Sequence, residues 1–128
     1  MGRVILDSSI LIALYDEADL HFSAVHNHFS INHDQYEISV LTITEVLSAP
    51  ISRALSSKEK LLFAVRTAIQ QVHLVTEEIA LLAGEIRVTS GLKTPDAIIS
   101  ATASIAGATL WTLDKKLAKA HKGALLVA

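Results

Sequence analysis

The sequence predicts a three-layer α/β/α sandwich around a parallel sheet, and three observations support this prediction. Short apolar runs alternate with helical stretches along the whole chain, which is typical of parallel strands joined by right-handed helical crossovers. The 128 residues fit a single domain, expected to span 1–128, that is large enough for its own core. The composition is 51% hydrophobic without cysteine, which excludes a disordered chain, a disulfide scaffold and thiol catalysis.

In the first half of the chain, apolar runs predict strands and helical periodicity predicts the segments that connect them. The first run ends at Asp7, and the longest helical segment places Leu61, Val65 and Ile69 on one face. In chain order, we expect a strand at 3–6, helices at 8–15 and 22–29, a strand at 36–40, a helix starting near residue 43 and a longer helix at 58–71.

In the second half, turn and cap residues set the boundaries. Thr94 suits a helix N-cap and Pro95 the first helical position, where its missing N–H costs nothing. Gly107 lies where that helix should end, at a position that often needs a positive φ. We expect a strand at 72–75, a helix at 77–88 followed by a turn at Gly91, the helix from Thr94 to Gly107, a strand at 108–112, a short helix at 115–120 and a strand at 125–127.

Four acidic side chains at helix starts are expected to lie at one edge of the sheet. Asp7 and Asp114 follow predicted strands, Glu45 lies just past another, and Asp96 lies in the first turn of the helix at Thr94. Ligands of such folds bind beyond the carboxyl ends of the strands. Carboxylates are hard ligands that suit Mg²⁺ or Mn²⁺, and clustered carboxylates repel one another unless a cation offsets their charge. Metal-assisted phosphodiester hydrolysis uses such an arrangement.

Each of these residues also has an ordinary structural interpretation. Asp7 and Asp114 could cap the helices that follow them. Thr42 and Glu45 have the spacing of a capping box. Asp96 would be stabilised by the helix dipole without any function. The pattern leaves both interpretations open, and the coincidence of four such residues adds weight to a metal site without deciding for it.

Four segments of the chain resemble segments of a known family and occur in the same order as in that family. They are residues 4–12 (VILDSSILI), 43–47 (ITEVL), 94–103 (TPDAIISATA) and 108–114 (ATLWTLD). Together they resemble the PIN-domain ribonucleases, most closely the VapC-like toxins of prokaryotic toxin–antitoxin pairs. The chain departs from the usual family pattern at Ser9, where Asn is common, and at Leu113, where a polar or basic residue is common.

The resemblance implies a five-stranded parallel sheet in the order 3-2-1-4-5, with the site beside strands one and four. Asp7 and Asp96 would be the firmest metal ligands, and Ser9 and Thr112 would orient a carboxylate or a water. The implied activity is Mg²⁺- or Mn²⁺-dependent endonucleolytic cleavage of RNA. The implied partners are a small antitoxin protein and a second copy of the chain in a homodimer. The acidic residues that the resemblance assigns to catalysis and metal binding are Asp7, Glu45, Asp96 and Asp114.

The lysines after Asp114 also have two interpretations. Lys115, Lys116 and Lys119 could form an exposed helix face, or they could hold RNA phosphates beside the acidic site. The formal net charge of the chain is −2, but residues 88–128 carry +3 and the first fifty residues carry −6. The acidic first part and the basic last part of the chain could also meet in the fold, so this asymmetry alone does not decide between the two interpretations.

The histidines and the single tryptophan are not assigned to a site. No pair among the four histidines between residues 21 and 33 has the i, i+4 spacing of helical metal ligands, so we expect them to face solvent. His73 and His121 have no evident partner in the sequence. Trp111, in an apolar strand, is expected in the core.

Other function classes fit less well. A phospho-receiver or a haloacid-dehalogenase-type phosphatase needs a second acidic residue close after Asp7, where Ser8 and Ser9 stand. A PIN fold that binds a partner without catalysis stays open, although keeping four like charges together would then be costly. No apolar run approaches the roughly 18 residues of a membrane span, and no signal peptide is evident. A cytoplasmic protein without a membrane partner is expected.

Overall fold

The computed structural model describes residues 2–49 and 58–127, with only the backbone of Lys58 described. The predicted domain of 1–128 also includes residues 1, 50–57 and 128, which lie outside the described residues. Within the described ranges no helix is long and apolar enough to cross a membrane. The strands are β1 (Arg3–Leu6), β2 (Gln35–Ser39), β3 (Gln71–His73), β4 (Thr109–Thr112) and β5 (Leu125–Leu126). The helices are α1 (Ser8–Tyr15), α2 (Phe22–Ile31), α3 (Val40–Ser48), α4 (Lys58–Ala68), α5 (Glu77–Ser90), α6 (Thr94–Ala106) and α7 (Lys115–Ala120).

The five strands form one parallel sheet in the order β3-β2-β1-β4-β5. This confirms the fold class that the sequence predicts and the strand order that the family resemblance implies. The central strand β1 pairs with β2 on one side and with β4 on the other, and Leu6 lies opposite Trp111. The strand order therefore reverses between β1 and β4, which is where ligands bind in doubly wound folds.

Two apolar clusters lie on opposite faces of the sheet, because successive strand residues alternate between the faces. On one face, Trp111 is buried as expected and packs in a cluster to which α1, α2, α3 and α4 contribute. On the other face, Ile5 and Leu110 pack in a cluster to which α5, α6 and α7 contribute. The three layers are thus helices, sheet and helices, with the carboxyl ends of β1 and β4 fixed by packing on both sides.

The expectation that the four histidines between residues 21 and 33 face solvent is wrong for His28, which contacts Trp111. The His28 ring packs edge-on against Trp111, with 4.5 Å between the ring centroids. Phe29 and Tyr36 contact the same indole. His28 is therefore part of an aromatic group on α2 and β2, whereas His26 and His33 are exposed as expected.

The start of α3 differs from the prediction. The helix begins at Val40 because the Ser39 hydroxyl accepts a hydrogen bond from the Leu41 backbone N–H and caps it. Thr42 therefore lies inside the helix, buried, and its hydroxyl has no partner among the described residues. The predicted capping box between Thr42 and Glu45 is wrong, so Glu45 has no capping role.

Two other boundaries are also corrected. The N-cap of α6 is Lys93, so Thr94 is the first helical residue instead of the cap. Helix α4 ends at Ala68, before the predicted residue 71, because the Gln70 backbone and side chain both bond to Tyr36 of β2 and begin the pairing of β3. The end of α6 is confirmed, since Gly107 adopts a left-handed conformation with φ 66°.

Glu37 forms a buried ionic network across three strands that the sequence did not reveal. Its carboxylate, 0% exposed, accepts hydrogen bonds from Arg3 Nε and Nη2 of β1, both at 2.8 Å. It also accepts one from Gln35 Nε2 at 2.9 Å and lies 2.6 Å from His73 Nε2 of β3. The expectation that His73 lacks a partner is wrong, because strand alternation places it on the same face as Glu37. The Arg3 hydrogen bonds, followed by those of His73, lower the pKa of Glu37 to about 2.

The Glu37→Gln substitution is expected to destabilise the fold by about 2 kcal/mol at pH 7, since the amide loses several charge-assisted hydrogen bonds. The measurement is urea denaturation followed by circular dichroism. Glu85→Gln, on the exposed face of α5, is the matched control and should change the unfolding free energy by less than about 0.5 kcal/mol. Equal stability of Glu37→Gln and the parent chain would contradict the assignment of this network as a stabilising contact.

The effect of Glu37 should also depend on pH in a defined direction. Its pKa is lower in the folded chain than its ordinary value of 4.5, so its stabilising contribution is fully present above pH 4.5. That contribution is lost as the pH falls from 4.5 towards 2. The stability difference between the parent chain and Glu37→Gln should therefore shrink over this interval, and a difference that grows on acidification would contradict the account.

Candidate active site

Asp7 follows β1 directly and is buried beside the end of β4. Its Oδ2 accepts hydrogen bonds from the hydroxyls of Ser9 at 2.7 Å and Thr112 at 2.8 Å. It occupies the N-cap position of α1 but makes no side-chain capping bond, so the capping interpretation is wrong. Asp7 is 5% exposed and held by two hydroxyls, which fixes one carboxylate at the point where the strand order reverses.

The same two hydroxyls also hold the segment after β4. Ser9 Oγ accepts a hydrogen bond from the Leu113 backbone N–H, and Thr112 Oγ1 accepts one from the Asp114 backbone N–H, both at 3.0 Å. Each hydroxyl thus donates to Asp7 and accepts from the following turn. The position of Asp114 is consequently tied to that of Asp7 through two short hydrogen-bond chains.

Asp114 begins α7. Its Oδ1 accepts hydrogen bonds from the backbone N–H groups of Lys116 at 2.8 Å and Leu117 at 3.4 Å. The capping interpretation is therefore confirmed for this residue. Capping does not remove Asp114 from the acidic cluster, because its charge contributes to the raised pKa of Asp96.

Asp96 lies in the first turn of α6 and is half-buried. Burial raises its pKa, and the charges of Asp7 and Asp114 raise it further. Lys116 and Lys93 act in the opposite direction. Asp96 is therefore within electrostatic reach of two other carboxylates and of two ammonium groups.

Glu45 projects from α3 and completes the cluster. Burial is the largest cause of its raised pKa, followed by the charges of Asp7 and Asp96, while a hydrogen bond from Ser8 lowers it. Its Oε1 atom is buried and has no hydrogen-bond partner among the described residues. A buried carboxylate oxygen without a donor is costly, and such an atom calls for a ligand.

The four acidic residues expected to form a site thus interact with one another electrostatically in the folded chain. Asp7 influences both Glu45 and Asp96, and Asp114 influences Asp96. Within residues 2–49 and 58–127, no group of three or more histidine, aspartate or glutamate side chains is arranged to hold a metal ion. Hard oxygen donors, mutual repulsion and the unpartnered Glu45 oxygen nevertheless suit a divalent cation.

Basic residues flank this cluster on one side. Lys116 and Lys119 line a cleft of about 490 Å³ between the end of α5 and α7, together with Thr89, Ser90 and Ala120. Lys115 is exposed but does not line the cleft. The sequence predicted a basic helix but not this cleft, because the cleft depends on how α5 packs beside α7.

His121, which the sequence left without a partner, is hydrogen-bonded to Ser100 of α6. The distance between His121 Nδ1 and Ser100 Oγ is 2.6 Å, and burial lowers the pKa of the imidazole. Ser100 lies one helical turn after Asp96. The C-terminal end of α7 is therefore attached to the helix that carries an acidic site residue.

Comparison with solved structures finds the same fold in toxin–antitoxin proteins. A toxin–antitoxin complex from Klebsiella pneumoniae superposes with a TM-score of 0.78 at 24% identity, covering 95% of both chains. VapC20 of Mycobacterium tuberculosis, described as a sarcin-ricin loop cleaving toxin, gives a TM-score of 0.80 at 18% identity, covering 97% of this chain and 98% of that one. FitAcB of Neisseria gonorrhoeae gives 0.75 at 19% identity, covering 94% of both.

Sequence comparison identifies the family directly. Among curated proteins, none is significantly similar to this chain. The PIN domain family profile, in contrast, matches residues 4–123, a span that includes all four carboxylates and nearly the whole chain. The chain therefore belongs to the PIN domain family.

Proposed function

We propose that residues 1–128 form one PIN-like domain that acts as a metal-dependent endoribonuclease, the toxin of a type II toxin–antitoxin pair. The observation that carries this proposal is the cluster of four carboxylates at the carboxyl edge of β1 and β4. Burial and neighbouring charges raise the pKa of both Glu45 and Asp96. Perturbed carboxylates at the point where strand order reverses are typical of a catalytic site.

Each acidic residue has a distinct role in this proposal. Asp7 and Asp96 would hold a Mg²⁺ or Mn²⁺ ion most directly, and Glu45 and Asp114 would bind it directly or through water. When bound, the ion supplies an activated water and stabilises negative charge on the oxygen that leaves the phosphodiester. The hydroxyls of Ser9 and Thr112 fix the orientation of the Asp7 carboxylate, and the backbone N–H groups at the start of α7 fix that of the Asp114 carboxylate.

The lysines that line the α5–α7 cleft support RNA as the substrate. Lys116 and Lys119 would hold phosphates beside the acidic cluster, whereas Lys115 lies outside the cleft. A polyanion approaching four carboxylates needs such positive charge nearby to offset its repulsion. Since the substrate is cellular RNA, we expect the protein to act in the cytoplasm.

The proposed partners are a cognate antitoxin and a second copy of this chain. The structural neighbours include toxin–antitoxin assemblies, such as the complex from Klebsiella pneumoniae. Leu81 and Val88 of α5 are 66% and 87% exposed, so apolar surface is available for an interface.

The Asp96→Asn substitution is expected to reduce RNA cleavage by about a hundredfold or more, because the amide keeps the shape of the side chain but removes its charge from the site. The measurement is cleavage of end-labelled total RNA by antitoxin-free protein in Mg²⁺ or Mn²⁺. Asp16→Asn, outside the cluster, is the matched control and should cleave like the parent chain. If Asp96→Asn cleaves as well as the parent chain, with contaminating nuclease excluded, the proposal is contradicted. If the parent chain neither cleaves RNA nor binds Mn²⁺, the result favours a catalytically silent binding module.

The Glu45→Gln substitution should have opposite effects with and without metal. In chelator at pH 7 it is expected to stabilise the fold by a few tenths to about 1 kcal/mol, because it removes a repelled, partly buried charge. Since the pKa of Glu45 is raised by folding, this gain should disappear as the pH falls and the parent residue is protonated. With Mn²⁺, the parent chain should gain more thermal stability than the variant does. Thermal unfolding measures both effects, and a variant less stable than the parent chain in chelator would overturn this interpretation of Glu45.

A further inference from the structure

Two adjoining clefts form a continuous groove between the C-terminal half of α5 and α7, here called the α5–α7 groove. The first cleft, of about 490 Å³, begins at Lys116. The second, of about 300 Å³, shares three residues with the first and ends at Lys122. The shared residues are Thr89, Ser90 and Ala120. An extended polymer chain could therefore lie along the whole groove.

The α7 rim of this groove carries a row of lysines. Lys116, Lys119 and Lys122 follow one another at three-residue intervals along α7 and the turn after it, and all three are exposed. Among the described residues, neither cleft is lined by an acidic side chain. The floor includes the half-buried apolar side chains of Leu82 and Ile86. Positive charge beside an apolar floor is typical of surfaces that bind single-stranded nucleic acid.

The groove begins at the acidic cluster. Lys116 is the second residue of α7, and its backbone N–H donates to Oδ1 of Asp114. Its ammonium group also lowers the pKa of Asp96, which opposes the effect of the neighbouring carboxylates. The first lysine of the rim is therefore within electrostatic reach of the residues proposed to hold the metal ion.

The far end of the groove is also fixed relative to that cluster. The hydrogen bond between His121 and Ser100, at 2.6 Å, attaches the end of α7 to α6 one turn beyond Asp96. Near the other end, Lys116 Nζ lies 3.4 Å from the Gly91 carbonyl oxygen, between α5 and α6. These two contacts fix α7 relative to α6, the helix that carries Asp96.

We propose that the α5–α7 groove is the track for the phosphate backbone of single-stranded RNA on one side of the cleavage point. Lys116, Lys119 and Lys122 would contact successive phosphates with increasing distance from the acidic cluster. This inference rests on the proposed ribonuclease function, and it adds the path of the strand and the contribution of Lys122.

Binding is measured by fluorescence anisotropy with a fluorescein-labelled oligouridylate, in chelator, over a range of salt concentrations. For single strands the slope of log K against log salt is about −0.7 per phosphate contact. The double variant Lys119→Ala with Lys122→Ala should therefore reduce the magnitude of the slope by about 1.4. Lys116 is left intact so that the electrostatics of the carboxylates do not change.

Two single variants serve as comparisons. Arg66→Ala on α4 removes one positive charge outside the groove and should leave the slope unchanged. Lys115→Ala removes a charge on α7 itself but outside the groove lining, and its effect should be clearly smaller than that of Lys119→Ala. Equal effects of Lys115→Ala and Lys119→Ala would show that α7 acts only through its total charge, and this would overturn the proposed RNA track. The absence of oligouridylate binding by the parent chain would overturn it as well.

Cleavage of end-labelled RNA in Mn²⁺ separates this inference from the function on which it rests. If the double variant cleaves poorly at low RNA concentration but normally at saturating RNA, both are supported. If the parent chain cleaves and the double variant cleaves equally well at every RNA concentration, the groove is overturned and the nuclease stands. If the lysines govern binding but no RNA is cleaved, the nuclease is overturned and the groove stands as an RNA-binding site.

Discussion

Electrostatic repulsion among the carboxylates of the acidic cluster is the main constraint at the carboxyl edge of β1 and β4, and the residues concerned are Asp7, Glu45, Asp96 and Asp114. Separate features of the fold offset that repulsion. Two hydroxyls donate to Asp7, the first N–H groups of α7 donate to Asp114, and Lys93 and Lys116 lower the pKa of Asp96. Glu45 receives less, since its buried Oε1 has no donor among the residues described. The offset is incomplete, because the pKa of both Glu45 and Asp96 stays raised, and a small cation would offset the remaining repulsion.

The contrast between Glu37 and Glu45 shows how the same side chain serves structure or function. Glu37 is fully buried but accepts hydrogen bonds from neighbouring strands, and its pKa falls to about 2. Glu45 is only partly buried, yet its pKa is raised, first by that burial without enough donors and then by the charges of Asp7 and Asp96. The first arrangement stabilises the fold at neutral pH. The second costs stability unless a cation binds, which is the pattern expected where a protein retains repulsion for chemistry.

The fold and the positions of Asp7 and Asp114 were predictable because both follow from local patterns. Alternating strands and helices predict a parallel sheet, and acidic residues directly after strands lie at its carboxyl edge. Glu45, the sixth residue of α3, and Asp96, on a helix that follows another helix, do not follow from this pattern alone. Contacts that depend on register or helix packing were not predictable. The pairing of Glu37 with His73 requires the alignment of β2 with β3, and the α5–α7 groove requires the packing of two helices distant in sequence. The prediction of a capping box at Thr42 and Glu45 was wrong because Ser39, three residues before Thr42, caps the helix instead.

The central claim is that these four carboxylates form one cation site, and Mn²⁺ binding followed by electron paramagnetic resonance tests it most directly. The titration would use the parent chain, the amide variant of each carboxylate and Asp16→Asn. The account predicts saturable binding by the parent chain and by Asp16→Asn, and weaker binding by Asp7→Asn, Glu45→Gln, Asp96→Asn and Asp114→Asn. Parent-like affinity in all four site variants, or no binding by the parent chain, would contradict it.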